Sequence, residues 1–81
     1  MSDTLINSLA RAIRAERRKR EWSQSLLGSK IGWSQSKVAE VEAGTRRVWA
    51  HELPEVCAAL ELSLDRLLID ATPEDRSRLG F

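Results

Sequence analysis

The segment WSQSLLGSKIGWSQSKVAEVEAG, residues 22–44, contains the same polar tetrapeptide, Trp-Ser-Gln-Ser, twice. The two copies start eleven residues apart, and each leads into an apolar pattern with helical spacing. A serine in front of a helix accepts a free backbone N–H and stabilises the helix by about 1 kcal/mol. Between the copies stands Gly32, and glycine adopts the left-handed conformation that ends a helix at little cost. The segment therefore predicts two short consecutive helices that form a compact corner.

Helical patterns also dominate the rest of the chain, whereas strand patterns are weak. Leu5, Leu9 and Ile13 recur every four residues and form the apolar stripe of a first helix. Pro54 must lie in or near the first turn of a fourth helix, because deeper in the helix it removes an N–H and clashes with the preceding turn. We predict an all-α bundle of five helices, at residues 4–20, 24–31, 35–43, 51–60 and 64–69, and leave open a sixth helical turn after residue 72.

Charge is distributed unevenly along the 81 residues. Residues 1–49 carry ten Lys or Arg and five Asp or Glu, which gives +5, whereas residues 50–81 carry three and seven, which gives −4. A basic half joined to an acidic half indicates that one face meets a polyanion. The alternative is a solvated helix whose charges only keep the protein soluble.

The sequence offers no arrangement of residues that is typical of an enzyme or a metal site. His51, the single histidine, has no Asp-His-Ser or Cys-His set around it, and Cys57 falls on the apolar stripe of the fourth helix. No metal-ligand spacing and no phosphate-binding glycine loop occur. We therefore expect no enzyme, metal, cofactor or small-molecule ligand. The lone cysteine and the short apolar runs favour a cytoplasmic protein without a membrane partner.

One set of positions agrees in register with a known motif: Ser23, Gln24, Leu27, Gly28, Gly32, Trp33, Ser34, Val38, Glu42 and Gly44. With the helical pattern of residues 52–68, they resemble the helix-turn-helix of the phage-repressor and Cro-like family, often called the XRE type. The resemblance covers roughly residues 9–69. It implies a lambda-repressor-like bundle in residues 1–69, with residues 70–81 as a tail or extra helical turn.

The resemblance also implies a function, a sequence-specific double-stranded DNA-binding transcriptional regulator. Proteins of this size and type resemble phage Cro or small repressors, restriction–modification controllers and antitoxins, and the sequence does not choose among them. A second hypothesis is an antitoxin or other protein-interaction module that uses the acidic second half of the chain. Both hypotheses place the protein in the cytoplasm of a bacterial or phage-infected cell.

Three residues depart from the family pattern. Gly28 replaces the usual alanine, which by helix propensity should weaken the second helix by about 1 kcal/mol. Trp33 is larger than the usual valine, and Glu61 stands where a glycine often ends the fourth helix. None of the three removes a group that would face DNA, so they bear on stability more than on function.

The resemblance implies that the third helix enters the major groove. Its candidate base-reading residues are Gln35, Ser36, Lys37 and Glu40. A glutamine amide donates and accepts together, which suits the N6 and N7 edge of adenine. Lys37 can reach guanine or a phosphate, and Glu40 can accept from cytosine or only repel phosphate. The alternative for all four is an ordinary polar helix face.

The resemblance also implies contacts outside the base edges. The candidate phosphate contacts are Gln24, Ser34, Thr45, Arg46 and Arg47, and the family's structural ion pair falls on Arg17 and Glu42. The alternative for the loop residues is a solvated basic loop. The alternative for Arg17 and Glu42 is an exposed ion pair that contributes little to stability. One or two of the remaining basic residues of the first helix should reach the flanking backbone: Arg14, Arg18, Lys19 and Arg20. Trp22 and Trp49 are predicted to pack at helix ends rather than to stack on bases.

The oligomeric state stays open at the level of sequence. A single module of this kind buries little DNA, so a homodimer on a palindromic operator is the common solution. The candidate dimer residues are Leu64, Leu67, Leu68 and Ile69. The alternative is that these residues close the core of a monomer.

Overall fold

The structure, a computed structural model, describes residues 3–69 and consists there of helices and connecting turns. Five α-helices follow one another, with a 3-10 turn at Ala50–Glu52 before the fourth: α1 Asp3–Lys19, α2 Gln24–Ile31, α3 Gln35–Glu42, α4 Leu53–Leu60 and α5 Leu64–Leu67. The predicted all-α fold is confirmed. The predicted helix α3 is one residue too long, the first turn of the predicted α4 is the 3-10 turn, and α5 is shorter than predicted. The sixth helical turn falls outside the described residues.

Local capping explains where the short helices begin and end. Ser23, Ser34 and Ser63 each accept the backbone N–H of the residue three positions later, at 3.0–3.1 Å. Gly32 ends α2 in the left-handed conformation, with φ +86°. Pro54 lies in the first turn of α4, where its missing N–H costs nothing. These predictions hold because they depend only on neighbouring residues.

Trp33, in the turn between α2 and α3, is part of the core and is only 9% exposed. The core otherwise consists of aliphatic side chains and one cysteine: Leu5, Leu9, Ile13, Leu27, Val38, Val41, Val48, Leu53, Val56, Cys57, Leu60, Leu67 and Leu68. Because α2 and α3 both pack on this cluster, the core fixes their exposed polar starts relative to each other. No described helix is long and apolar enough to cross a membrane.

The leucines in α5 and directly after it pack in the protein's own core. Leu67 and Leu68 are 2% and 1% exposed, and Leu64 packs partly buried against the same cluster. Ile69, in contrast, is 63% exposed. Of the four candidate dimer residues, only Ile69 therefore presents a large apolar surface in the described part of the chain.

Two departures from the family pattern have a backbone explanation. A Cβ atom on Gly28 would lie 2.5 Å from the backbone oxygen of Trp33, so the turn approaches α2 more closely than an alanine allows. Helix propensity alone therefore does not describe the effect of Gly28. Glu61 ends α4 with φ +54° and adopts the left-handed conformation that glycine usually supplies.

Candidate nucleic-acid interface

The two repeated helix starts contact each other through their glutamines. Gln35 Nε2 donates to Gln24 Oε1 at 2.8 Å. The two residues occupy the same position in the two Trp-Ser-Gln-Ser copies, directly after the capping serines. The corner between α2 and α3 thus brings both helix starts to one surface. Gln35 is exposed there, and Gln24 is half-buried.

A buried ion pair fixes the end of α3 to α1. Arg17 and Glu42 form two parallel bonds, Nε to Oε2 at 2.7 Å and Nη2 to Oε1 at 2.9 Å. Their side chains are only 12% and 4% exposed. Arg17 also donates to the carbonyl oxygen of Trp22 at 2.8 Å. The hydrogen bonds that Arg17 donates to Glu42 hold the pKa of Arg17 above its usual value, so the pair stays ionised.

Gln24 connects this ion pair to the exposed start of α3. Its Nε2 donates to Glu42 Oε1 at 3.3 Å, while its Oε1 accepts from Gln35. A carboxylate paired with Arg17 only accepts hydrogen bonds, so Gln24 must turn its NH₂ group toward Glu42. Gln24 therefore presents its oxygen to Gln35, which must in turn donate. The second N–H and the oxygen of the Gln35 amide remain available at the surface.

The exposed face of α3 also carries Ser36 and Glu40. Glu40 Oε2 accepts from Arg46 Nη1 at 3.0 Å, in a pair that is about half exposed on both sides. Such a pair contributes little to stability, so Arg46 is free to exchange Glu40 for another anion. Thr45 donates its hydroxyl to the carbonyl oxygen of Glu40 at 3.1 Å and so holds the following loop against α3.

Lys37 differs from the other candidates on α3, because its side chain lies against the protein. Its Nζ is 2.6 Å from Glu52 Oε2 and 4.5 Å from the centre of the Trp33 ring. Glu52 is buried, at 7% exposure, and its other oxygen accepts the backbone N–H of Trp49 at 3.0 Å. Burial raises the pKa of Glu52, but the hydrogen bonds from Lys37 and Trp49 outweigh it and leave that pKa below its usual value. Sequence reasoning missed Glu52 altogether.

The loop after α3 carries exposed basic and aromatic side chains. Arg46 and Arg47 are exposed, and the guanidinium carbon of Arg47 lies 5.0 Å from the centre of the Trp49 ring. Trp49 is 54% exposed, so the prediction that it packs at a helix end is wrong. Val48 takes the buried position in this loop instead, at 2% exposure.

The basic residues in α1 and directly after it divide into two groups. Arg20 donates to Glu16 Oε1 at 2.8 Å and to the carbonyl oxygen of Leu60, and it lies over the ring of Trp22. The hydrogen bond from Arg20 lowers the pKa of Glu16. Trp22 is partly buried against the core, as predicted. Arg20 is thus engaged within the protein.

Arg14 and Arg18 belong to the other group, because both are exposed and line a cleft between α1 and the helix-turn-helix. The cleft has a volume of about 240 Å³, and its lining includes Arg17, Gln24 and Ala39. Two exposed arginines therefore line the same cleft as the glutamine that links the two helix starts. A polyanion that reaches the start of α3 would meet them at its edge.

Comparison with known proteins identifies the arrangement. Residues 8–68 match the family described as a helix-turn-helix domain. The chain is similar to the clp gene regulator ClgR from C. glutamicum, with 30% identity, a TM-score of 0.76, and coverage of 83% of this chain and 87% of that one. It is also similar to the hypothetical transcription factor NHTF from Neisseria, with 26% identity, a TM-score of 0.75, and coverage of 98% and 90%. No curated protein matches the chain.

These findings confirm the resemblance on which the sequence interpretation rests. The family match includes both helix starts, the linking turn and the loop that follows α3. The two structural neighbours, of which the chain covers 87% and 90%, are described as a clp gene regulator and a hypothetical transcription factor. The chain belongs to the helix-turn-helix domain family and is a DNA-binding transcriptional regulator.

Proposed function

We propose that this regulator recognises a specific double-stranded DNA sequence, with α3 in the major groove and the amide of Gln35 on a base edge. The observation that carries the proposal is the chain of hydrogen bonds from Arg17 through Glu42 and Gln24 to Gln35. It leaves the Gln35 amide with one donor and one acceptor for DNA. That combination fits the N6 and N7 edge of adenine.

Ser36 and Glu40 complete the proposed reading surface, because both are exposed on the same side of α3. A serine hydroxyl contacts several bases, so Ser36 adds little selectivity by itself. Glu40 accepts hydrogen bonds only, and a cytosine N4 group is its matching partner. Glu40 repels the neighbouring phosphates at every sequence, and the hydrogen bond from cytosine offsets this repulsion only at the matching base.

Phosphate contacts are proposed on both sides of this surface. The starts of α2 and α3 present free backbone N–H groups, to which Gln24 and Ser34 add side-chain donors. The loop after α3 adds Thr45, Arg46 and Arg47. Each cation that neutralises a phosphate releases a counterion, so affinity must fall steeply with added salt.

We further propose that two copies bind a palindromic operator in the cytoplasm. One module offers a single short reading helix, and two-fold pairing doubles the number of bases read. The size of the complex on a selected duplex, measured by sedimentation, tests this. Two copies per duplex are expected, and one copy on an asymmetric site would contradict the pairing while leaving the base reading intact.

The test of phosphate contact compares two exposed arginines. Arg46→Ala removes a cation beside α3, and the control Arg66→Ala removes one on α5. We expect Arg46→Ala to weaken binding to all duplexes alike and to reduce the slope of log affinity against log salt by about 1. Arg66→Ala should leave the slope unchanged. Equal slopes in both variants would contradict the proposed orientation on DNA.

The competing function is a protein-interaction module in which the acidic half of the chain masks a partner. It predicts weak DNA binding that shows no preference among duplexes. A wild-type protein that binds selected and scrambled duplexes equally would therefore favour this alternative over the proposed function.

A further inference from the structure

Glu52 is buried between two segments that both belong to the proposed DNA surface. Its Oε2 lies 2.6 Å from Lys37 Nζ in the first turn of α3. Its Oε1 accepts the backbone N–H of Trp49, at the end of the loop that carries Arg46 and Arg47, at 3.0 Å. A single carboxylate thus joins the start of the reading helix to the end of the phosphate-contacting loop.

Further contacts hold Lys37 and Glu52 in this arrangement. Lys37 Nζ also lies over the ring of Trp33, 4.5 Å from its centre, so the ammonium is confined between an aromatic face and a carboxylate. The backbone N–H of Lys37 is held in addition by Ser34 Oγ at 3.1 Å. Glu52 is 7% exposed, and a buried carboxylate that loses one donor keeps its desolvation cost without compensation. The arrangement is therefore stable only when both segments are in place.

The same geometry gives Lys37 a different role from that of the exposed cations. Its charge is already neutralised by Glu52, whereas Arg46 and Arg47 are exposed and able to meet phosphate. Contact between Lys37 and DNA would leave Glu52 as an unpaired buried anion close to a polyanion. Such a state is unfavourable because the buried carboxylate would lack a counter-charge, and because the DNA phosphates would repel it.

We propose that Glu52 is a positioning residue that fixes the start of α3 relative to the loop at residues 45–49, with Lys37 as its partner rather than as a base-reading residue. The inference rests on the proposed function. Bases and phosphates of one duplex lie at fixed distances, so both segments must be held within about 0.5 Å to contact them together. When the link is broken, each segment still binds phosphate, but correct and incorrect sequences are no longer well separated.

The test uses three variants and one control. Glu52→Ala removes both bonds, Glu52→Gln keeps an acceptor for Trp49, and Lys37→Met keeps the apolar stem over Trp33. Glu55→Gln is the control, because Glu55 is an exposed glutamate on α4. All are measured well below their melting temperatures, so that every variant is folded when its DNA affinity is compared.

Hydrogen exchange of the Trp49 amide is the readout that needs no DNA. We expect exchange to accelerate in Glu52→Ala and to stay near the wild-type rate in Glu52→Gln and Glu55→Gln. If the Trp49 amide exchanges as slowly in Glu52→Ala as in the wild type, Glu52 does not hold the loop, and the proposal is overturned.

The DNA readouts are the affinity ratio of a selected to a scrambled duplex and the salt slope. We expect this ratio to fall by about fivefold or more in Glu52→Ala and Lys37→Met, with the salt slope unchanged. A ratio in Glu52→Ala equal to that of Glu55→Gln would overturn the positioning role. A salt slope reduced by about 1 in Lys37→Met would place Lys37 on a phosphate and overturn its assignment. A wild-type protein without any preference would overturn the proposed function instead, and the exchange measurement would still decide whether Glu52 holds the two segments together.

Discussion

Gly28→Ala is expected to destabilise the protein, although alanine is the better helix former. The new Cβ would lie 2.5 Å from the backbone oxygen of Trp33, whereas ordinary contacts begin at 3.4 Å. The turn between α2 and α3 would have to move by about 1 Å. That turn is held by two hydrogen bonds, from the N–H groups of Gly32 and Trp33 to the Gly28 oxygen, both 2.8 Å long.

The magnitude follows from two opposing effects. Replacing glycine by alanine inside a helix gains about 1 kcal/mol of propensity. Forcing an extra methyl group into a packed site costs about 1–3 kcal/mol, and a backbone neighbour places the cost near the upper end because it cannot rotate away. The expected net loss is about 2 kcal/mol. In a domain of this size it lowers the melting temperature by roughly 8–16 °C.

Thermal unfolding followed by circular dichroism measures this directly. Ser29→Ala is the matched control, because Ser29 is the exposed neighbour on α2 and gains helix propensity without meeting the turn. Its hydroxyl donates only to the carbonyl oxygen of Leu26, so its melting temperature should stay equal or rise slightly. A Gly28→Ala protein that melts at or above the wild-type temperature would refute the close-approach argument.

Three further predictions concern helix ends and acid stability. Glu61→Gly should raise the melting temperature by about 4–8 °C, because glycine adopts φ near +54° without the strain of a side chain; a lower melting temperature would contradict this. Ser34→Ala should cost about 1 kcal/mol in denaturant unfolding, since its hydroxyl caps the Lys37 N–H; an unchanged midpoint would mean that the cap contributes nothing. The pKa of Glu52 is lowered in the folded state, so its stabilisation is present above the usual value of about 4.5 and is lost as pH falls through the lowered value. The difference in unfolding free energy between wild type and Glu52→Gln should therefore be largest at neutral pH and shrink as the pH falls below about 4.5; a constant difference would contradict the shift.

The sequence predicts most of the fold because the decisive features are local. Serine caps, the glycine after α2 and the proline at the start of α4 act on residues within one turn, and apolar spacing identifies the faces that enter the core. The ion pair between Arg17 and Glu42 was accessible only through the family resemblance. No local pattern brings together two residues that are 25 positions apart.

The direction of individual surface side chains could not be predicted in the same way. Lys37 follows the capping serine like any polar first-turn residue, and only the position of Glu52, 15 residues later, turns it inward. Trp49 is predicted to pack at a helix end rather than to stack on bases, yet Val48 fills the buried place in the loop. In both cases the outcome depends on how the loop after α3 and the 3-10 turn at Ala50–Glu52 fold back against α3. That relation is a matter of tertiary packing and not of sequence spacing.

Selection of bound duplexes from a random pool, with wild type and Gln35→Ala in parallel, tests the central claim most directly. The claim is that the amide of Gln35, oriented through Gln24 by the buried ion pair, reads one base edge. We expect the wild type to enrich a defined sequence that includes an adenine, and Gln35→Ala to lose preference at that base pair while the rest of the sequence is kept. Enrichment of the same sequence with equal strength by both proteins would contradict the account.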